Sequence, residues 1–513
     1  MQLIVQNKPM LVLGGELGNS SASSAAYMAP HWARLKQMHL NTVLAPVSWE
    51  LIEPTEGRFD WESVDALVRN ARANDLKLIL LWFGSWKNSM STYVPSWVKR
   101  DQTRFPRVRL ANGQSVEILS AFATATLDAD KRAFTALMGH LKAVDGDENT
   151  VLMVQVENEI GMLPAAREHG EAAEHALHSR VPKDLLQLLT KRPTQIDPAL
   201  RQMWERSGAK TDGDWTAVFG DSDAAAEIFT AWHYARFVEA LTIAGKAVYP
   251  LPMYVNVALN RSGKAPGEYP SGGPVPHLID VWKAGAPSLD LIAPDIYFSN
   301  FVDLVARYRR DDNPLFIPEA NNADKPEVAA NVFYAFGKWD AIGFSPFSIE
   351  SIDDKSPNAL ASAYAVLEQA SPAILAAQGH GKMAGFRPRV LEDGTLIDTP
   401  VTETIGNFRF TAAFIDPWTP KADQNITSHG GMIIQTGPED FLFAGQGITV
   451  TFAVASDNGE HVGIDSAWEG TFDEHGTWVA GRLLNGDQTH QGRHVRLEPG
   501  KFQIQRVRLY RYR

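Results

Sequence analysis

The chain contains no cysteine in its 513 residues. That absence excludes disulfides, thiolate nucleophiles, Cys-ligated zinc and iron–sulfur clusters, and it leaves the compartment open. Long apolar runs are missing as well: nothing approaches the roughly 18 to 20 consecutive apolar residues of a membrane span. The opening MQLIVQNKPM lacks the basic start and apolar core of a signal peptide. A soluble protein is therefore expected, cytoplasmic as it stands, or periplasmic or extracellular if a leader has been trimmed. Positive charge is scarce too. With 48 Lys and Arg against 60 Asp and Glu, the net charge of −12 argues against a nucleic-acid or anionic-membrane surface, which would need clustered basic residues.

What is present is an ordinary globular composition, 44% hydrophobic and 10% aromatic, with 14 Trp. Single cores stop growing near roughly 250 to 300 residues, so two domains are expected. The indoles either fill a core or offer flat apolar faces to a ligand such as a sugar.

Through the first three quarters of the chain, short strand-like runs alternate with amphipathic stretches, the mark of parallel βα units. Eight strands can be read: Met10 to Glu16, Asn41 to Trp49, Leu76 to Phe83, Thr150 to Glu159, Leu251 to Asn256, Leu289 to Tyr297, Asn313 to Ala320 and Ala341 to Glu350. Each is followed by a helical pattern, among them AYMAPHWARLKQM and DADKRAFTALMGHLKAV. The reading is a (β/α)8 TIM barrel over residues 1–377, with a mainly helical insertion at about 162–224. From residue 378 the texture changes to period-two runs such as FRFTAAF and FQIQRVRLYRYR. This is the pattern of a smaller antiparallel β-sandwich domain over 378–513. Three roles are open for it: glycan binding, docking on the barrel, or building a homo-oligomer.

In a (β/α)8 barrel the chemistry sits where the strands end, because the βα loops converge there. The polar and aromatic residues at those ends are Glu16, Trp49 with Glu50, Trp82 and Trp86 with Asn88, Asn158 with Glu159, Asn256, Asp295 with Tyr297, Glu319 and Glu350. No strand ends in histidine, and no Ser-His-Asp set or phosphate-binding glycine loop stands out. Carboxylates among aromatics remain. Two carboxyl groups flanking a glycosidic bond suffice to hydrolyse it, one as acid and the other as nucleophile or base. Glu159 and Glu319 end strands four and seven, on opposite sides of a barrel mouth. The run holding Glu171, His175 and His178 has metal-ligand spacing but reads as a solvated helix, and no metal is expected.

The stretch VQVENEIG resembles the Gln-Val-Glu-Asn-Glu-Tyr-Gly motif of glycoside hydrolase family 35 β-galactosidases, with Ile160 where Tyr is usual. VSWELIEPTEGRFDW, Val47 to Trp61, is similar to a segment found in families 35 and 42, and LFIPEANN resembles their nucleophile strand. The resemblance implies a retaining barrel glycosidase with Glu159 as general acid/base and Glu319 as nucleophile. It further implies Asn158 as donor to the substrate 2-OH and Tyr297 as a hydrogen-bond partner of Glu319. Glu157 falls on the other face of the strand by the two-residue period, for packing or salt bridging. Two departures stand out. The family's strand-three segment is replaced by LLWFGSWKNSMSTYVPSW, Leu80 to Trp97, where Trp86 and Asn88 are placed to line a sugar subsite. The cysteines of family 42 are absent, which favours family 35 or a divergent branch with its own β-domain.

The expectation is thus a retaining exo-β-galactosidase that needs no cofactor and acts on an oligosaccharide or a polysaccharide side chain. The alternatives are a related glycosidase for arabinopyranosides, fucosides, xylosides or glucosides, or a carbohydrate-binding protein without activity.

Overall fold

A computed structural model describes residues 1–191, 194–352, 358–456 and 459–513. Eight parallel strands are β1 (Val12–Glu16), β2 (Thr42–Ser48), β3 (Lys77–Lys87), β4 (Val151–Asn158), β5 (Met253–Ala258), β6 (Leu291–Asp295), β7 (Phe316–Ile317) and β8 (Gly343–Phe344). They make one sheet in the order β6-β5-β4-β3-β2-β1-β8-β7, the neighbour relations of a (β/α)8 TIM barrel. Eight helices follow them in turn: α1 (Trp32–Gln37), α2 (Glu62–Ala73), α3 (Thr124–Asp145), α4 (Asp223–Val248), α5 (Ile279–Gly285), α6 (Phe301–Tyr308), α7 (Val328–Trp339) and α8 (Ala359–Ala377). The fold class expected from the sequence is the one observed.

Two local differences trace to proline. The runs expected over Asn313 to Ala320 and Ala341 to Glu350 shrink to two residues each, because Pro314, Pro318 and Pro346 cannot donate to a ladder. Before α1, the expected helix is broken after Ala25–Met28, next to Pro30. β3 runs on to Lys87, four residues past Phe83, and its register against β4 slips between Trp82 and Lys87.

The chain divides into two compact units, one of Leu17–Trp32 with Val43–Asp295, the other of Met1–Glu16, Ala33–Thr42 and Ile296–Arg513. In the first, β2 and β4 are buried along their whole length, as strands covered on both faces must be. Among the described residues the insertion after β4 forms four short helices, Glu171–Leu177, Lys183–Lys191, Pro198–Arg206 and Trp215–Phe219. α4 is buried over 15 of its 26 residues, spread around the helix rather than along one stripe.

The second unit holds β1, β7 and β8 together with two antiparallel sheets. The strands of these sheets are β9 (Met383–Phe386), β10 (Val401–Ile405), β11 (Phe408–Ala413), β12 (Gly430–Gln435), β13 (Asp440–Gln446), β14 (Ile448–Val454), β15 (His461–Phe472), β16 (Trp478–Leu483), β17 (His494–Leu497) and β18 (Gln503–Tyr512). One sheet runs β9-β12-β13-β18-β15-β16 and the other β10-β11-β14-β17. Alternate residues such as Phe408, Phe410, Phe441, Phe443, Val507 and Leu509 fill the core between them. The outer face of the larger sheet is covered at its β9–β12 end by α7. That approach is close enough to require glycine, since a Cβ on Gly337 would stand 2.7 Å from Met432 and 2.9 Å from the Gly385 Cα. Among the described residues no helix is long and apolar enough to cross a membrane.

Candidate active site

The tip of β4 carries the acids that end the run VLMVQVENE. Glu157 and Glu159 both have left-handed backbone, at φ +63° and +46°, a conformation that costs a non-glycine residue free energy and clusters at functional sites. Neighbouring strand ends hold the bend. The Glu159 N–H donates to Asn256 Oδ1 at 2.8 Å, and its carbonyl accepts from Ser89 Oγ at 2.9 Å. Asn256 in turn donates from Nδ2 to Asp295 Oδ2 at 2.8 Å. With one amide atom accepting and the other donating, the orientation of Asn256 is settled. Glu159 is 8% exposed, and its Oε2 accepts a hydrogen bond from Asn88 Nδ2. Asn88 can reach it because Asn88 and Ser89 also adopt positive φ, +58° and +60°.

Asn158 is fully buried. Its Oδ1 accepts from Lys87 Nζ at 2.9 Å, and because an ammonium can only donate, Nδ2 must lie on the other side of the amide. That Nδ2 has no hydrogen-bond partner among the described residues. A buried donor left open costs about 1–3 kcal/mol unless a ligand or water takes it.

Glu157 lies on the opposite face of the strand, as the two-residue period requires, but its neighbour is another acid rather than a cation. Its Oε2 accepts from the Trp86 N–H at 2.8 Å, and it faces Asp130 of α3. Asp130 accepts from Trp82 Nε1 at 2.9 Å, the Ser85 N–H at 3.1 Å and Ser85 Oγ at 2.5 Å. Burial and the facing Asp130 carboxyl hold Glu157 well above the usual carboxylate range, and burial also raises Asp130. The pair therefore shares a proton. Gly84 makes room for it, since a Cβ there would stand 2.9 Å from Glu157 Oε1 and 3.0 Å from Asp130 Oδ2. Asp130 was legible in principle: it is spaced with Phe134, Leu137 and Leu141 on the buried stripe of its helix.

Two aromatic assignments are corrected. Trp86 is wholly buried, its ring edge-on to Phe237 at 4.6 Å and tilted on Tyr234 at 5.4 Å. It packs on α4 and offers no sugar platform. Trp49 is likewise buried, donating from Nε1 to Glu53 Oε2 at 2.7 Å and meeting Trp97 edge to face at 5.9 Å. Trp86 lies inside β3 rather than beyond its end, and in both cases the side chain turns into the packing layer. His175 is exposed on its short helix.

In the other unit, Glu319 directly follows Pro318 at the end of β7 and is 6% exposed. The half-buried Tyr297 donates its phenol O–H to Glu319 Oε2 at 2.5 Å, and the Glu319 carbonyl accepts from the Ile296 N–H at 2.7 Å. Glu16 ends β1 fully buried, its N–H donating to the Pro346 carbonyl at 2.8 Å. Glu350 lies in the short turn Ile349–Ser351, 5% exposed, with its carbonyl taking a hydrogen bond from Arg34.

Residues 24–192, which include the β4 tip, match the model of glycoside hydrolase family 42, described as beta-galactosidase. Residues 360–496 match a domain of unknown function, DUF5597. A beta-galactosidase of Xanthomonas manihotis is 28% identical over 172 residues, covering 31% of this chain and 25% of that protein. Among solved structures, a catalytic mutant of a GH42 beta-galactosidase from G. stearothermophilus has a TM-score of 0.55 at 11% identity, over 97% of this chain and 98% of that one. A beta-galactosidase from the psychrophilic Marinomonas ef1 has a TM-score of 0.47 at 14% identity, over 70% of this chain and 59% of that one. The chain thus spans a quarter of its curated relative's length and 59% of the Marinomonas enzyme's. The sequence likeness runs to family 42, the relative that the missing cysteines had argued against. Those cysteines are not what the likeness rests on.

Proposed function

We propose that the protein is a retaining exo-acting β-glycosidase, most specifically a β-galactosidase, with Glu159 as acid/base and Glu319 as nucleophile. The observation that carries this reading is the tip of β4. There a nearly buried carboxylate on strained backbone is aimed by Asn88, Ser89 and Asn256, within the segment that matches a beta-galactosidase family. The pairing with Glu319 rests on strand position, since the loops after the strands of a (β/α)8 barrel converge on one pocket. Glu159 protonates the departing glycosidic oxygen while Glu319 attacks the anomeric carbon. Water, deprotonated by Glu159 acting as base, then releases the sugar with its configuration retained. The open Nδ2 of Asn158 is the donor to the substrate 2-OH, a contact that catalyses because it strengthens in the transition state. Tyr297 orients the nucleophile, and Glu16 and Glu350 supply acceptors for sugar hydroxyls. The substrate is a β-galactoside, free or on a polysaccharide side chain, and the catalytic part ends near residue 377.

The test is the initial rate on p-nitrophenyl β-galactoside beside the arabinopyranoside, fucoside, xyloside and glucoside, for the wild type, Glu159→Gln and Glu319→Gln. One substrate should be turned over with both substitutions lowering its rate by about 100-fold or more. The first-formed sugar should be the β-anomer by NMR. A crystal structure should place the two carboxyl groups about 5 to 5.5 Å apart, whereas a gap above roughly 6.5 Å is that of an inverting enzyme. Activity that survives both changes sinks the assignment.

A further inference from the structure

The outer face of the six-stranded sheet is not covered uniformly. In a two-sheet sandwich one face of each strand meets the core and the other meets water, so outward positions are expected to be polar. On β13, β18 and β15 the inward set is Phe441, Phe443, Val507, Leu509 and Ala467. Outward on the same strands, by alternation and cross-strand register, stand Asp440, Arg508, Ser466, Arg506 and Trp468. Trp478 and Ala480 of β16 join them around an open cavity of about 250 Å³. Leu442, Ala444 and Ile504, outward by the same alternation, are buried, whereas Trp468 and Trp478 are only half-buried and line the open cavity.

The face is built to hold them. Trp478 lies across the strand over Gly470, where a Cβ would stand 2.6 Å from its Cζ2, and it is braced edge-on by Phe472 at 5.1 Å. Beside the rings, Arg508 is neutralised by a two-pronged pair with Asp440 at 3.0 and 3.1 Å. Arg506, exposed and directly across from Trp468, makes no hydrogen bond or ion pair among the described residues, which leaves its five N–H donors for a ligand. Flat apolar rings flanked by a free fork of donors, a carboxylate and a hydroxyl match a pyranose, which has an apolar C–H face and a rim of hydroxyls. The cavity is smaller than the roughly 300–1,000 Å³ of cofactor and drug-sized sites, so it suits one or two rings of a longer chain lying along the sheet.

We propose that this face of the C-terminal domain, at Trp468, Trp478 and Arg506, binds a polysaccharide and holds the substrate polymer to the enzyme. The identity of the polymer as galactose-bearing rests on the glycosidase reading above; the binding face itself does not. Without a contact to the reacting sugar, it changes how often the polymer is met rather than how fast a bound bond breaks.

The experiment uses the full chain in native gels containing soluble galactan, arabinogalactan or galactosylated xyloglucan, with plain gels as control. Wild type, the double variant Trp468→Ala/Trp478→Ala and the exposed-site variant Arg506→Glu are compared, with thermal unfolding confirming that each is folded. Turnover of p-nitrophenyl β-galactoside and of the same polymers is measured in parallel. The wild type should be retarded by at least one polymer, and both variants should lose about tenfold or more of that affinity. Their rates on the small glycoside should stay unchanged while polymer turnover falls. Wild-type migration that no polymer alters, or variants retarded as strongly as wild type, overturns the proposal. A wild type retarded by a polymer but inactive on every glycoside sinks the glycosidase reading and leaves this one standing.

Discussion

The buried acids Asp130 and Glu157 should respond unequally to substitution. Two carboxyl groups enclosed together cannot both ionise, and the hydrogen bonds decide which one keeps the proton. Asp130 accepts three bonds, from Trp82 Nε1, the Ser85 N–H and Ser85 Oγ, whereas Glu157 accepts one from the Trp86 N–H. Donors stabilise the charged form, so Glu157 is the neutral member. Glu157→Gln keeps its shape and neutrality, presents N–H to Asp130 where the acid presented O–H, and should cost less than about 1 kcal/mol. Asp130→Asn sets an NH2 against at least one buried donor and removes the charge that strengthened the others. Its cost should be about 2–4 kcal/mol. The pH dependence has a definite sign. Because Glu157 is raised in the folded state by burial and by Asp130, its contribution is fully present below the ordinary value of 4.5 and is lost as pH rises toward the folded value, at no more than about 1.4 kcal/mol per pH unit. Glu157→Gln removes that slope, so the variant should gain on wild type between pH 5 and pH 8. Urea unfolding followed by circular dichroism at the two pH values measures both effects. Equal losses for the two variants, or a Glu157→Gln penalty indifferent to pH, would refute the shared proton.

His233 offers an independent check on a buried base. Its ring lies among Phe122 at 4.5 Å, Phe229 at 4.6 Å and Trp215 at 5.9 Å, with Nε2 buried and without a hydrogen-bond partner among the described residues, and burial lowers it from 6.5 to about 4. The unfolded chain therefore takes up a proton that the folded one refuses, and stability present above pH 6.5 should fall by up to about 3 kcal/mol as pH drops toward 4. His233→Phe should flatten that decline in unfolding scans from pH 7 to 4.5; unchanged acid sensitivity counts against it. At the proposed nucleophile, Tyr297→Phe removes a hydrogen bond to a charged oxygen, worth about 1.5–3 kcal/mol. kcat/KM should fall about 10- to 100-fold with no loss of thermal stability beyond about 1 kcal/mol, and a rate within twofold of wild type would remove Tyr297 from the site.

The linear chain determined the class of fold and singled out the positions from which a site is proposed. Eight apolar runs alternating with helical patterns sufficed for the parallel sheet, because burial on both faces leaves a strand no other composition. The period-two texture after residue 378 did the same for the antiparallel sheets. Strand ends pointed to Glu159 and Glu319 without any contact information, since a strand that stops in acid is visible in one dimension. Side-chain direction was not. Trp86 and Trp49 stand where a sugar platform was expected, yet they turn into packing against Phe237 and Trp97, because rotamer and register depend on neighbours far along the chain. The partners of the β4 tip are likewise non-local: Asn88, Asn256 and Asp130 lie 71, 97 and 27 or more residues from it. The positive φ at Glu157 and Ser89 is a local conformation that their side chains do not favour and that the distant hydrogen bonds sustain. So too with Trp468 and Trp478, whose shared outward face depends on a bulge and a glycine that only the paired strands reveal. Composition and periodicity are summed along the chain and survive in the sequence; a hydrogen bond or a ring contact between remote residues exists only once the chain has closed on itself.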